Sequence, residues 1–193
     1  MRYRHTNEAA DQTLLIEPPP TGFRFTVNQL VDYQDKYRGA MLGTGIGDAL
    51  GRAAEGLSPR NIIEAYGTVD SFIPWHGWVD GPTGTLTDDT ELALCIAESI
   101  VECGRFDPQD LADRFAAWVR VGRGVGSATR AACRRLPMGA PWYEAGSASA
   151  GNGAAMRAAP IGLAEPFDVD ELRRISAWDA AEKVDLADTR TAG

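Results

Sequence analysis

Residues 84–91 have the sequence Gly-Thr-Leu-Thr-Asp-Asp-Thr-Glu, which places hydroxyls and carboxylates immediately before an apolar repeat. From Leu92 to Cys103 the apolar side chains recur at helical spacing, and Gly104 follows as a stop signal. The pattern predicts a helix that begins at Asp88, with the acidic residues in its first turn. The rest of the chain is organised around this turn.

The acidic turn has two interpretations. The first is helix capping, because Asp88 as N-cap and Glu91 three residues later form a capping box, and carboxylates suit the positive end of a helix dipole. The second is metal binding, because the turn offers more hard oxygen atoms than a cap can use, and Mg²⁺ prefers oxygen ligands. The oxygen-bearing residues are Thr87, Asp88, Asp89 and Thr90. A motif this short does not decide between the two.

A glycine-rich segment, residues 35–51, precedes the acidic turn and has the pattern of a helix. One of its faces combines small residues with a single carboxylate, Asp48; a buried carboxylate needs hydrogen-bond donors or a cation. Glu55, seven residues later, projects from the same side if the helix continues past Gly51. The glycine spacing is a weak match to a dinucleotide-binding fingerprint, since no strand precedes it.

A second stretch of small residues, 146–157, leads into another predicted helix. Such a run exposes backbone N–H groups at the positive end of a helix dipole, which is a site for a phosphate; the alternative is a flexible loop. The central residues are Gly151, Asn152 and Gly153. Arg157, one turn into the helix, is expected to pair with an anion, or with Asp48 or Glu55.

Composition excludes several classes of function. The net charge of −8 over 193 residues argues against a nucleic-acid-binding surface. One local concentration of arginines, between Arg120 and Arg135, is either a solvated helix face or an anion-binding patch. No apolar run approaches the roughly 20 residues of a membrane span, and the first residues do not form a secretory leader. Three cysteines without metal-ligand spacing fit a reducing, cytoplasmic setting.

The pattern of elements predicts an all-α architecture of many short helices with long glycine-rich connections. We expect a polar, proline-containing arm over residues 1–33, a helical domain over 34–180 and a divergent tail over 181–193. His76, which lies between two tryptophans, is predicted to be a packed or surface residue.

Three stretches, taken together and in this order, resemble the ADP-ribosylglycohydrolase family, which includes the dinitrogenase reductase-activating glycohydrolases. They are Arg38 to Gly51 with Glu55, then Thr87 to Thr90, then Gly151 to Arg157 followed by Pro160. The resemblance covers about residues 35–180. It implies an orthogonal multi-helix bundle and a hydrolase that removes ADP-ribose from a modified protein or small molecule with the help of two Mg²⁺ or Mn²⁺ ions.

The resemblance also implies roles for individual residues. Thr87, Asp88 and Asp89 would be metal ligands, with both aspartates catalytic. Glu55 would approach the metals and the ribose as acid/base or gate, and the loop 151–153 would lie along the ribose and diphosphate. Asp48 and Arg157 would complete the substrate-binding set. We therefore expect the acidic turn to lie near Asp48, Glu55 and Asn152.

The chain also departs from the family pattern. Family members continue through a Thr-His-Pro stretch to a Gly-Gly-Asp-x-Asp-Thr motif that completes the metal sites, whereas this chain has no histidine after His76. Residues 185–189 have suitable residue types at the wrong spacing. We expect a C-terminally truncated hydrolase with an incomplete metal site; the alternative is a non-catalytic remnant that binds ADP-ribose or a protein partner.

Overall fold

The computed structural model describes residues 27–74, 82–146, 149, 151–165 and 168–181. Three predicted features therefore lie outside the described residues: most of the N-terminal arm, His76, and the tail beyond residue 181. Within the described part, the chain forms α-helices and short 3-10 turns and contains no strand. The predicted all-α class is confirmed.

The α-helices are α1 (Val27–Gly51), α2 (Pro59–Tyr66), α3 (Asp88–Cys103), α4 (Pro108–Trp118), α5 (Ser127–Arg135), α6 (Ala159–Ala164) and α7 (Val169–Ala181). The 3-10 turns are Arg52–Ala54, Leu136–Met138, Trp142–Glu144 and Ala155–Arg157. Helix α1 begins at Val27, so the last residues of the predicted arm are already helical.

Local side-chain and glycine signals start and stop these helices, and the stop predicted at Gly104 is confirmed. The Ser58 hydroxyl accepts from the Asn61 amide ahead of Pro59, and the Asp107 carboxylate accepts from the first amides of α4. These side chains replace the missing intrahelical partners of the first turn. Gly104 ends α3 in the left-handed conformation at φ 68°, which glycine adopts without steric cost.

Helix α3 lies at the centre of the molecule and packs against α1, α4 and α6. Its Leu92 and Ile96 are fully buried against Leu111 and Phe115 of α4 and Ile161 of α6. Burying a side chain of this size contributes about 1.5–3 kcal/mol. The core therefore determines where the acidic first turn of α3 lies.

The structure corrects the prediction for Arg157. Its side chain is 1% exposed, and its Nε donates to Asp179 Oδ1 at 2.8 Å and its Nη2 to the Asp179 carbonyl at 2.8 Å. The guanidinium also lies 4.8 Å from the centre of the Phe115 ring. A buried guanidinium needs a counter-charge and acceptors, which Asp179 of α7 supplies. Arg157 is therefore part of the core and is not exposed to a substrate.

The structure also describes the cysteines and tests the described helices for a possible membrane span. No disulfide joins the described cysteines, which are Cys95, Cys103 and Cys133. Burial, and secondly the nearby Glu98 carboxylate, raise the pKa of Cys95 to about 11, so this thiol stays protonated at neutral pH. None of the described helices has the length and apolar character that crossing a bilayer requires.

The Arg157–Asp179 pair leads to a stability prediction. Replacing Asp179 with Asn removes the counter-charge that it supplies to a buried guanidinium, and we expect a loss of about 3–5 kcal/mol in the free energy of unfolding. Asp170→Asn on the same helix is the matched control, because Asp170 is 95% exposed and its pair with Arg173 should contribute less than about 1 kcal/mol. Urea unfolding followed by circular dichroism measures both. Equal losses in the two variants would contradict a structural role for the buried pair.

Candidate functional site

A cavity of about 490 Å³ lies where the end of α1, the beginning of α3, the beginning of α5 and the glycine loop around residue 152 meet. Among the described residues, four carboxylates line it: Asp48, Glu55, Asp88 and Asp89. The loop residues Gly151, Asn152 and Gly153 line the same cavity. The acidic turn thus lies near Asp48, Glu55 and Asn152, as expected. Arg157 is not among the residues that line the cavity.

The Asp48 carboxylate of α1 caps the beginning of α3. Its Oδ2 accepts from the Thr87 amide at 2.8 Å, the Thr90 amide at 3.3 Å and the Thr90 hydroxyl at 2.6 Å. Its Oδ1 accepts from the Thr87 hydroxyl at 2.7 Å. Three of these donors share Oδ2 and one binds Oδ1, so both oxygens of the carboxylate have partners. Asp48 is thus half-buried, and hydrogen-bond donors satisfy it. The sequence had left open whether its partners are hydrogen-bond donors or a cation.

This arrangement corrects the predicted capping box. Thr87 is the N-cap residue, and its hydroxyl accepts from the Asp89 amide at 3.3 Å, while Asp88 is the first residue of the helix. With Thr87 as the N-cap, the capping-box position is Thr90 rather than Glu91, and Asp48 binds both the Thr87 and the Thr90 amides. Glu91 instead accepts hydrogen bonds from Trp118 and Arg123. Asp48 belongs to a different helix, so a local motif could not reveal its part in the cap.

The two consecutive aspartates have different environments. Asp88 is 8% exposed, and its Oδ2 accepts from the Gly126 amide at 3.1 Å. Asp89 is half-buried on the cavity wall. Across the described ranges, no group of three or more His, Cys, Asp or Glu side chains is arranged to hold a metal ion. Asp88 and Asp89 therefore form part of an acidic wall of the cavity.

Glu55 reaches the cavity by a route that the sequence did not predict. Helix α1 stops at Gly51, and the 3-10 turn Arg52–Ala54 carries the chain to Glu55, which is exposed at the cavity. Arg52, in the same turn, also lines the cavity and is 7% exposed. It is the basic residue among the described lining, and sequence reasoning missed it.

Sequence reasoning also missed the segment 124–129, part of which lines the cavity. Gly124 has φ 69°, and a Cβ atom there would lie 3.2 Å from Arg52 Nη1 and 3.3 Å from Thr87 Cβ. The first turn of α5 lines the cavity next to Gly126, and no side chain caps that helix. The two glycines before a predicted helix were the available signal, since glycine allows close approach of backbone to neighbours.

The glycine loop differs from its prediction in one respect. The Met156 amide donates to the Asn152 carbonyl at 2.9 Å, and the chain then forms the three-residue turn Ala155–Arg157. The predicted helix does not begin at this loop, because the short turn comes first and the six-residue α6 begins only at Ala159. A longer helix, α5, begins at the cavity instead.

Gly124 provides a test of the close packing beneath the cavity. We expect Gly124→Ala to reduce the free energy of unfolding by at least about 1 kcal/mol more than Gly139→Ala does. Gly139 is the matched control, because it also has a positive φ, 91°, but a Cβ atom there would meet nothing within 4 Å. Urea unfolding of the two variants measures the difference. Equal losses would show that only backbone strain matters at residue 124.

Comparisons of this chain with known protein families, sequences and structures all find the same family. A sequence model of the family described as ADP-ribosylglycohydrolase matches residues 29–185. The ADP-ribosyl-[dinitrogen reductase] glycohydrolase of Rhodospirillum rubrum is 36% identical over 144 residues, which cover 70% of this chain and 48% of that protein. The ADP-ribosylarginine hydrolase Tri1 of Serratia proteamaculans is 34% identical, with 67% of this chain and 36% of that protein covered.

A solved structure described as an ADP-ribosylglycohydrolase-related protein complex aligns with a TM-score of 0.66 at 37% sequence identity. The alignment covers 80% of this chain and 51% of that one. This chain thus spans about half the length, or less, of the proteins compared with it here.

Proposed function

Because the chain belongs to the ADP-ribosylglycohydrolase family, we propose that its cavity binds ADP-ribose and serves metal-dependent hydrolysis of the bond between ADP-ribose and a modified protein or small molecule. The observation that carries the proposal is the convergence of Glu55, Asp88, Asp89 and the loop 151–153 on one cavity. These residues come from three separate stretches of the chain.

The charge of the cavity favours a cation as cofactor. Its described lining contains four carboxylates and one arginine, so a diphosphate would be repelled unless positive charge is added. Mg²⁺ is commonly bound by one or two carboxylates together with waters and substrate oxygens, so an incomplete set of protein ligands is compatible with it. Thr87, Asp88 and Asp89 would hold Mg²⁺ or Mn²⁺ in this proposal. The ion would neutralise the diphosphate and lower the pKa of a bound water.

The surrounding groups have separate parts in the proposal. The loop 151–153 lets a ribose or phosphate approach the backbone closely, because its glycines have no side chain. The uncapped first turn of α5 offers amide donors to a phosphate oxygen. Glu55, exposed at the cavity, holds or accepts a proton as the glycosidic bond breaks through an oxocarbenium-like transition state. Asp48 positions Thr87 by accepting from its amide and its hydroxyl, and it also lines the cavity.

Calorimetry of the full chain with ADP-ribose tests this proposal. We expect binding that requires Mg²⁺ or Mn²⁺, and a loss of about tenfold or more in affinity in Asp88→Asn and Asp89→Asn. The matched control is Asp113→Asn, an exposed aspartate of α4 outside the cavity lining, which should bind as the wild type does. Release of ADP-ribose from an ADP-ribosylarginine peptide, measured in parallel, should be abolished in both cavity variants. Undiminished activity in both would refute the metal assignment.

The incomplete ligand group among the described residues favours a second candidate function, ADP-ribose binding without turnover. The same titration distinguishes the two functions. Binding that needs no divalent ion and is unaffected by Asp89→Ala would support the binding protein. Metal-dependent binding accompanied by product release would support the hydrolase.

A further inference from the structure

The Glu91 carboxylate has no direct part in the proposed chemistry, but it binds the loop 123–126. It accepts from Trp118 Nε1 at 2.9 Å, from the Arg123 amide at 3.0 Å and from Arg123 Nε at 2.7 Å. Its side chain is only 15% exposed. Charge-assisted hydrogen bonds in a partly buried setting are among the stronger ones, so these contacts should hold both the Arg123 side chain and its backbone in place.

The segment that follows Arg123 forms one wall of the cavity. Gly124 packs against Thr87, Val125 is 4% exposed in the core, and the Gly126 amide donates to Asp88 Oδ2 at 3.1 Å. Asp88 and Glu91 are three residues apart in the first turn of α3, so their side chains lie on the same side of the helix. The loop 123–126 is therefore fastened to α3 at both of its ends, by Glu91 and by Asp88.

Because it is rich in glycine, this loop depends on its hydrogen bonds to Glu91 and Asp88 to stay ordered. Residues 122, 124 and 126 are all glycine, which loses more conformational freedom on ordering than other residues. A Cβ atom at Gly122 would lie 2.5 Å from the Trp118 ring, so the absence of a side chain there lets the indole pass under the loop to Glu91. With Thr87 as the N-cap, Glu91 is the fourth residue of the helix and lies outside the capping-box position, which is compatible with this role.

We propose that Glu91 is a positioning residue of the cavity. By ordering Arg123 and the loop behind it, Glu91 holds the Gly126 amide on Asp88 Oδ2 and so orients the carboxylate that the proposed function places at the metal and substrate. The attachment of the loop to α3 is seen in the hydrogen bonds of Glu91 and Asp88. Only its consequence for ligand binding rests on the proposed function.

The test begins with the unliganded full chain. In Glu91→Gln the shape is kept, but one acceptor oxygen becomes an amide group that cannot accept from Arg123, and the charge is lost. We expect the Gly126 amide to exchange with solvent about tenfold faster by NMR, while the Ile96 amide in the core is unchanged. The matched control is Glu102→Gln on the same helix, since Glu102 pairs with Arg114 at 2.6 Å outside the cavity lining. It should leave Gly126 exchange within about twofold of the wild type.

Gly122→Ala tests the same device from the loop side. The added methyl group must displace the Trp118 ring, so we expect faster Gly126 exchange here as well, with Glu91 itself intact. Unchanged Gly126 exchange in both Glu91→Gln and Gly122→Ala would overturn the proposal.

Titration with ADP-ribose and Mg²⁺ then separates this inference from the proposed function. We expect Glu91→Gln to weaken binding about tenfold and Glu102→Gln to leave it unchanged. Faster Gly126 exchange in a protein whose wild type binds no ADP-ribose would support the fastening while the proposed function failed. Faster exchange with unchanged ADP-ribose affinity would overturn the positioning role, because the loop would then be loosened without effect on the site.

Discussion

The interaction between the Asp48 carboxylate and the first turn of α3 is the constraint on which the site depends. It joins two helices whose bonded residues are 39 and 42 positions apart, and it satisfies two backbone amides and two threonine hydroxyls. Amides at a helix start have no partner within the helix and must find one elsewhere. Asp48 binds the Thr87 and Thr90 amides and the Thr87 hydroxyl binds the Asp89 amide, so the acidic side chains of α3 are available for other contacts.

The three acidic side chains in the first turn of α3 have different contacts. Asp88 receives the Gly126 amide, Asp89 lines the cavity, and Glu91 binds Trp118 and Arg123. A cluster that looks redundant as a helix cap is thus divided among the cavity and the loop beside it.

The distribution of arginines explains how the cavity remains acidic. Arg123 binds Glu91, Arg157 binds Asp179, and Arg135 donates to the carbonyls of Ala145 and Gly146. These guanidinium groups stabilise loops and the core. The arginine-rich stretch is therefore partly structural, which neither sequence interpretation had included. Arg52 alone among the described arginines lines the cavity, against four carboxylates.

The sequence by itself determined the helices and the identity of the acidic turn, because apolar periodicity, caps such as Asp107 and stops such as Gly104 act over a few residues. It also indicated which stretches belong together, through the family resemblance that the comparisons confirm. Only the tertiary structure decided the partners: Asp48 for the α3 cap, Trp118 and Arg123 for Glu91, Asp179 for Arg157. Such pairings depend on how helices pack against each other, and a local pattern of residues does not contain the positions of distant backbone and side-chain atoms.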